Sequence, residues 1–190
     1  MVFVSQNTPM TNSKMTNVDE FVKNLIARFL QEENEFLTLC CKRAADISIF
    51  RQNQHKATAP YGFEWAIQTS LSYFLSTDKQ IPKTLKIGKK TCYDSDLSKY
   101  KKYDLYFSLP NLSCDVVLEL KTIALGSGSA KSYIETDVKK LFPKDAVPYI
   151  LVCSYPDSAK DFPSLQNAVI VITDDMPENF KYCVYRITKA

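Results

Sequence analysis

The sequence predicts an α/β fold in which a mixed central β-sheet is flanked by helices. Three observations predict it. Apolar residues recur at helical spacing in the first half of the chain, and short β-branched apolar runs fill the second half. One helical segment separates two of these runs, which indicates a parallel crossover. With 190 residues, of which 45% are hydrophobic, the chain can form one domain with a sizeable core.

Two helices are predicted before the first strand. Apolar residues keep helical spacing over residues 18–39, and Asn17 is a candidate N-cap. Residues 1–16 are polar and without periodicity, so we expect a flexible arm there and a single domain over residues 17–190. The second helix is expected from about Pro60 to Leu75.

Six strands and one further helix are predicted in the rest of the chain. The strand candidates are residues 85–87, 103–109, 115–123, 149–153, 168–173 and 180–187. The helix is expected over residues 131–142, and the polar residues 92–102 are expected to be a connection. The runs at 149–153 and 168–173 are almost wholly apolar, which is typical of buried central strands.

The net charge and the cysteines bear on the partner, the metal and the cellular compartment of the protein. The net charge of +3 permits a nucleic-acid partner without indicating one. The six cysteines form no CxxC pair, so we expect reduced core thiols rather than a zinc site. The sequence begins without the pattern of a signal peptide and has no apolar run long enough to cross a membrane, so a cytoplasmic location is expected.

The chemistry of the chain is concentrated around residues 115–123. In a strand, side chains alternate between the two faces, so Glu119 and Lys121 share a face with Val117. Burying an isolated charge costs free energy, and an ion pair or a metal reduces that cost. An exposed salt bridge between Glu119 and Lys121 is the alternative interpretation.

Two further acids are expected close to this strand. Glu64 lies beside the apolar stripe of its helix, where a solvated glutamate is unusual. An antiparallel pairing centred on residues 111–112 brings Asp104 level with about residue 119. Three carboxylates beside a lysine predict a site for a hard cation such as Mg²⁺, which prefers oxygen ligands. Asp137 is expected to be a partly buried polar contact.

These residues resemble the PD-(D/E)XK, or restriction-endonuclease-like, nuclease superfamily. Asp104 begins one strand, Glu119-Leu120-Lys121 lies on the next, and Glu64 matches an acid on the preceding helix. The resemblance implies a core of helix, three strands, helix and strand over about residues 60–153. It also implies Mg²⁺, or Mn²⁺ in its place, bound by Asp104, Glu119 and Glu64, with Lys121 positioning the attacking water. Tyr103 replaces the family's proline.

The resemblance implies an endonuclease acting on DNA, such as a type II restriction enzyme, and a homodimer remains open. The alternatives are an RNA or structure-specific DNA nuclease and an inactive nucleic-acid-binding module. We expect Lys121→Ala to abolish cleavage while leaving folding largely intact. Asp115, Asp94 and Asp96 are alternative acids, and His55 is a weak match to the histidine ligand of cap-snatching endonucleases.

Weaker signals concern the binding of the nucleic acid itself. A stretch that is rich in lysine and tyrosine either contacts phosphates or is a solvated connection, and a helix start after the Gly/Ser loop could receive a phosphate. The residues concerned are Lys99, Lys101, Lys102, Lys131 and Ser132.

Overall fold

The computed structural model confirms the α/β class, with a mixed sheet and flanking helices. It describes residues 12–39, 63–77, 85–87, 90–92, 100–123, 130–139, 142, 146–154, 161–175 and 181–188. Within these ranges, no helix has the length and apolar character needed to cross a membrane.

The three predicted helices are present with different ends, and the first is interrupted at Glu33, so that it forms two helices. Helix α1 spans Asn12–Glu32, α2 covers residues 34–39, α3 spans Phe63–Thr77 and α4 spans Ala130–Val138. The prediction of an arm up to residue 16 is therefore wrong for residues 12–16. Asn17 lies within α1 and is not its N-cap. No proline or glycine lies between residues 12 and 17, so the sequence does not prevent the helix from beginning before Asn17.

The end of α4 also differs from the prediction. Phe142, expected inside this helix, lies outside it and stacks its ring on Tyr103 at a centroid distance of 5.6 Å. The helix thus ends before the phenylalanine, whose ring joins the core through an aromatic contact instead.

Eight strands are described. They are β1 (Lys86–Ile87), β2 (Lys90–Cys92), β3 (Tyr100–Lys102), β4 (Leu105–Leu109), β5 (Cys114–Ile123), β6 (Ala146–Ser154), β7 (Ala168–Asp175) and β8 (Lys181–Ile187). Six of them form one sheet in the order β1-β4-β5-β6-β8-β7. Strands β2 and β3 form a separate antiparallel ribbon. The prediction of a polar connection is wrong for β3, because short polar strands lack the alternation that marks a strand in the sequence.

The pairings of β5 follow the prediction. Strand β4 is antiparallel to β5 with Leu105 opposite Leu118, a register that projects residue 104 to the level of Glu119. The short 3-10 turn Pro110–Leu112 joins the two strands, and Ser113 takes a left-handed conformation with φ 47°. On its other side β5 is parallel to β6, and α4 lies in the crossover between them.

Strand β7 is not a central strand, and that prediction is wrong. Strand β8 lies between β6 and β7, so β7 forms an edge of the sheet. Val169 and Ile170 are 47% and 40% exposed, whereas every residue of β6 is buried. An apolar β-branched run fits both positions, and only the order of strands distinguishes them.

The sheet has a core on each face. One face packs against α1 and α3 through residues such as Phe29, Leu71 and Leu118, and the other packs against α4 through Val117 and Ile134. The alternation predicted for β5 is thus confirmed. Cys114, Cys153 and Cys183 are buried free thiols, as expected.

Helix α1 is fixed to the sheet by a polar cluster that we call the Asp19 clamp. The Tyr149 hydroxyl donates to Asp19 Oδ1 at 2.8 Å, and the Arg186 guanidinium donates to Asp19 Oδ2 at 2.6 Å. Tyr149 and Arg186 face each other across β6 and β8. Burial and the Asp19 carboxylate raise the pKa of Tyr149 far above its usual range.

Candidate functional site

The candidate site lies where β5 extends beyond β4. The ladder between these strands ends at the pair Leu105 and Leu118, while β6 pairs with β5 as far as Ile123. Among the described residues, no strand pairs with that edge of β5 from Glu119 onward. The main-chain N–H groups on that edge need other acceptors, because buried amides are almost always hydrogen-bonded.

Two of the predicted acids supply these acceptors. The Leu120 N–H donates to Asp104 Oδ2 at 2.7 Å, and the Thr122 N–H donates to the Glu64 carboxylate. Leu120 and Thr122 are two residues apart, so their amides point to the same edge of the strand. Glu64 and Asp104, which are 40 residues apart in the sequence, are thereby brought to successive positions along β5.

A bend in the chain turns Asp104 towards this edge. Tyr103 packs in the core on the α4 side, but Leu105 packs in the core on the opposite face. In a regular strand both would face the same way, so the alternation breaks at Asp104, which is a bend. Sequence reasoning placed Asp104 at the start of β4, and the structure places it just before that strand.

Gln68 is a residue of the site that sequence reasoning missed. It lies one helical turn after Glu64, and its Nε2 donates to the main-chain carbonyl of Asp104 at 3.0 Å. This contact holds α3 against the chain at Asp104. The signal in the sequence was the spacing of four residues, which puts Glu64 and Gln68 on one side of α3.

Lys121 forms an ion pair with a residue of α4. Its Nζ lies 2.9 Å from Asp137 Oδ2, and the side chains of Lys121 and Asp137 are 23% and 4% exposed. Glu119 lies on the same face of β5 and is 2% exposed, so it is not part of a salt bridge on an open sheet surface. Asp137 is thus an ionic partner of Lys121, which its position in the sequence did not reveal.

The electrostatics of Glu64 connect these groups. Its pKa is raised, chiefly because burial disfavours the charged carboxylate, and the charges of Asp104 and Asp137 raise it further. Lys121 and the Thr122 N–H act in the opposite direction. The structure therefore brings Glu64, Asp104 and Lys121 into one electrostatic environment, together with Asp137. A bound cation would favour the charged form of Glu64.

Asp115, an alternative acid, does not join this cluster. Asp115 lies on the same face of β5 as Glu119, but the Tyr106 hydroxyl donates to its carboxylate. Asp115 and Glu119 are four positions apart along the strand, which corresponds to about 13 Å. Asp94, Asp96 and His55 lie outside the described residues.

The structure describes the side chains of two of the predicted nucleic-acid contacts. Lys131 is exposed and lies 3.8 Å from Glu135, and Ser132 is exposed beside it at the start of α4. Lys101 and Lys102 belong to β3, for which only the main chain is described, and Lys99 lies outside the described residues.

The carboxylates of the cluster are suitable ligands for a hard cation, but their side chains are not arranged around a common point. Among the described residues, no three His, Cys, Asp or Glu side chains are grouped as a metal site. Asp104 and Glu64 turn carboxylate oxygens to main-chain amides of β5. Carboxylate oxygens are nevertheless the ligands that Mg²⁺ prefers, and a bound cation would offset the effect of burial, which is the main cause of the raised pKa of Glu64.

Comparison of the chain with protein-family models, with curated proteins and with solved structures gave no match.

Proposed function

We propose that this chain is a metal-dependent endonuclease that hydrolyses phosphodiester bonds of DNA. The observation that supports the proposal most is the convergence of Glu64, Asp104 and Lys121 at one end of β5. These residues come from three separate parts of the chain, and the charges of Asp104 and Lys121 both act on the pKa of Glu64, which burial raises. A buried carboxylate with a perturbed pKa beside a second acid and an amine is typical of catalytic sites.

The topology supports a restriction-endonuclease-like core. Helix α3, strands β1, β4 and β5, helix α4 and strand β6 follow one another in the order of that core, apart from the β2–β3 ribbon. Strands β1, β4 and β5 are antiparallel neighbours, and β6 is parallel to β5. In this proposal Asp104 lies just before one strand of the core, and Glu119 and Lys121 lie in the next.

Each site residue has a role in the proposal. Glu64, Asp104 and Glu119 would hold Mg²⁺ or Mn²⁺, which when bound lowers the pKa of a water and stabilises charge on the phosphoryl oxygen. Lys121 would orient the attacking water through its amine. Asp137 fixes the amine through the 2.9 Å ion pair, and burial keeps this pair largely away from bulk water.

A competing interpretation follows from the same contacts. Asp104 and Glu64 satisfy main-chain amides of β5, so both acids could serve only to complete the open edge of the strand. This role suits a nucleic-acid-binding module that has the restriction-endonuclease-like fold but no nuclease activity. The two interpretations differ in what they require, because an edge acceptor needs an oxygen atom and a metal ligand needs the negative charge.

Isosteric variants separate the two roles. Asp104→Asn and Glu64→Gln each keep a carbonyl oxygen for the amide of β5 but remove the charge. We expect both to abolish cleavage of plasmid DNA in Mg²⁺ or Mn²⁺ without unfolding the protein. Asp115→Asn is the matched control, because it makes the same chemical change on β5 at about 13 Å from Glu119.

The substrate is tested in the same assay, with plasmid DNA, RNA and chelator controls. Discrete DNA fragments would support a restriction-type enzyme, and cleavage of RNA alone would support the RNA nuclease instead. Full activity of both isosteric variants would refute the proposed metal site. Inertness of the wild type towards every nucleic acid would favour the binding module.

A further inference from the structure

Gln68 of α3 makes a directional contact with the chain at Asp104. Its Nε2 donates to the main-chain carbonyl of Asp104 at 3.0 Å, and its side chain is half-buried. Helix α3 is already held to the sheet by buried apolar residues such as Ile67 and Leu71, whose packing is non-directional. A hydrogen bond depends on direction, so the Gln68 amide restricts the position of Asp104 more closely than apolar packing does.

Asp104 lies at a bend, where strand pairing alone does not set its orientation. The pairing of β4 with β5 begins at Leu105, one residue after the bend. Asp104 is instead held from two sides. Its carboxylate accepts from the Leu120 N–H of β5 at 2.7 Å, and its carbonyl accepts from Gln68 of α3 at 3.0 Å.

The groups that α3 and β5 present here are matched in spacing. Glu64 and Gln68 are four residues apart on the helix, which corresponds to a rise of about 6 Å. Leu120 and Thr122 are two residues apart on the strand, which corresponds to about 7 Å. The Glu64 carboxylate accepts from the Thr122 N–H, and Asp104 joins Gln68 to Leu120. Gln68 thereby ties the position of one acid to that of the other.

We propose that Gln68 is a positioning residue of the candidate site, which holds Asp104 at a fixed place beside Glu64 and so sets the affinity of the two acids for a divalent cation. The inference rests on the metal site of the proposed function. Residues that hydrogen-bond to metal ligands commonly change metal affinity by about 10- to 100-fold when they are replaced. In this role Gln68 acts through Asp104 and does not itself contact the cation.

Gln68→Met tests the contact, because methionine has a similar length but no N–H donor. Binding of Mn²⁺ to the full-length protein is measured by electron paramagnetic resonance in the absence of nucleic acid. We expect Gln68→Met to bind Mn²⁺ about 10-fold more weakly than the wild type. In the metal-free protein, the Leu120 amide should exchange its hydrogen faster, because the carboxylate that accepts from it is less firmly held.

Ser72→Ala is the matched control. The Ser72 hydroxyl donates to the main-chain carbonyl of Gln68, so this variant removes a hydrogen bond from the same part of α3 but leaves the Gln68 side chain in place. We expect it to match the wild type in Mn²⁺ affinity and in the exchange of Leu120. Circular dichroism establishes that both variants are folded.

Cleavage of plasmid DNA distinguishes a positioning residue from a ligand. Gln68→Met should raise the Mn²⁺ concentration that gives half-maximal cleavage, and excess Mn²⁺ should restore the rate because every ligand is still present. Glu64→Gln lacks a proposed ligand, so excess Mn²⁺ should not restore its rate.

The results separate this inference from the proposed nuclease. Weaker Mn²⁺ binding by Gln68→Met, without cleavage of any nucleic acid by the wild type, would support the positioning role and refute the nuclease. Mn²⁺ binding by the wild type and equal binding by Gln68→Met would overturn the inference alone. Absence of Mn²⁺ binding by the wild type would refute both. Equal weakening in Ser72→Ala would also overturn the inference, because the effect would then reflect the stability of α3 as a whole.

Discussion

Removing one member of the Lys121–Asp137 ion pair should destabilise the fold. At 2.9 Å and an effective dielectric constant of about 20, the attraction is about 6 kcal/mol before desolvation is subtracted. Lys121→Met leaves the charge of Asp137 in a site that is 4% exposed, so we expect a cost of about 3–5 kcal/mol. Asp137→Asn leaves the partly exposed Lys121, so its cost should be about 2–3 kcal/mol.

The pair is tested with a double-mutant cycle. The free energy of unfolding is measured in urea at neutral pH for both single variants and for the double variant. Because the double variant leaves neither member of the pair without its partner, we expect it to cost about 2–3 kcal/mol less than the sum of the single variants. The expectation from the sequence that Lys121→Ala leaves folding largely intact is therefore replaced by one of measurable destabilisation.

A second ion pair provides the control for this cycle. Lys131 and Glu135 are 3.8 Å apart at the surface of α4, with side chains 58% and 31% exposed. The corresponding cycle should give a coupling of at most about 0.5 kcal/mol, since exposed pairs contribute little. If the costs of Lys121→Met and Asp137→Asn are simply additive, the structural account of this pair is incorrect.

Three further predictions test the pKa shift, the Asp19 clamp and the sheet order. Because the folded state raises the pKa of Glu64, the charged carboxylate destabilises the fold. Glu64→Gln should therefore unfold at a higher urea concentration than the wild type at about pH 7. This gain in stability should vanish below about pH 4.5, where the side chains of both proteins are neutral at this position. Asp19→Ala should cost about 2–4 kcal/mol of unfolding free energy because it removes the acceptor of two partly buried donors, whereas the exposed Glu20→Ala should change it by less than about 0.5 kcal/mol. Ile170→Lys on the edge strand should fold, as judged by circular dichroism, and Ile150→Lys in the buried centre should not. A loss of stability in Glu64→Gln would contradict the account of the Glu64 pKa. Equal costs of Asp19→Ala and Glu20→Ala would contradict the Asp19 clamp. Equal tolerance of Ile170→Lys and Ile150→Lys would contradict the strand order.

The polar contacts of Asp104 also explain why a single substitution can be ambiguous. Asp104→Ala removes a charge and an edge acceptor at once, so lost activity would not reveal which one mattered. Asp104→Asn removes only the charge. The same reasoning applies to Glu64, whose carboxylate accepts from the Thr122 N–H. Isosteric amides are therefore the informative variants at both positions.

The local sequence pattern was sufficient to predict the two faces of β5 and its pairing with the neighbouring strands. The period of two residues assigned Val117, Glu119 and Lys121 to one face, and the short turn after β4 fixed the antiparallel register with Leu105 opposite Leu118. Both features depend on residues close in sequence. The same was true of the parallel crossover to β6, because a helix between two strands permits few arrangements.

The sequence by itself determined the main helices, the six strands of the central sheet, the faces of β5 and the approximate level of Asp104 beside Glu119. Tertiary structure alone decided that β8 separates β7 from the centre, that Lys121 pairs with Asp137, and that two acids cover the open edge of β5. The periodicity of apolar residues indicates which side of a helix or strand is buried. Partners across elements depend on where strands end and helices dock, which is set by packing between distant residues.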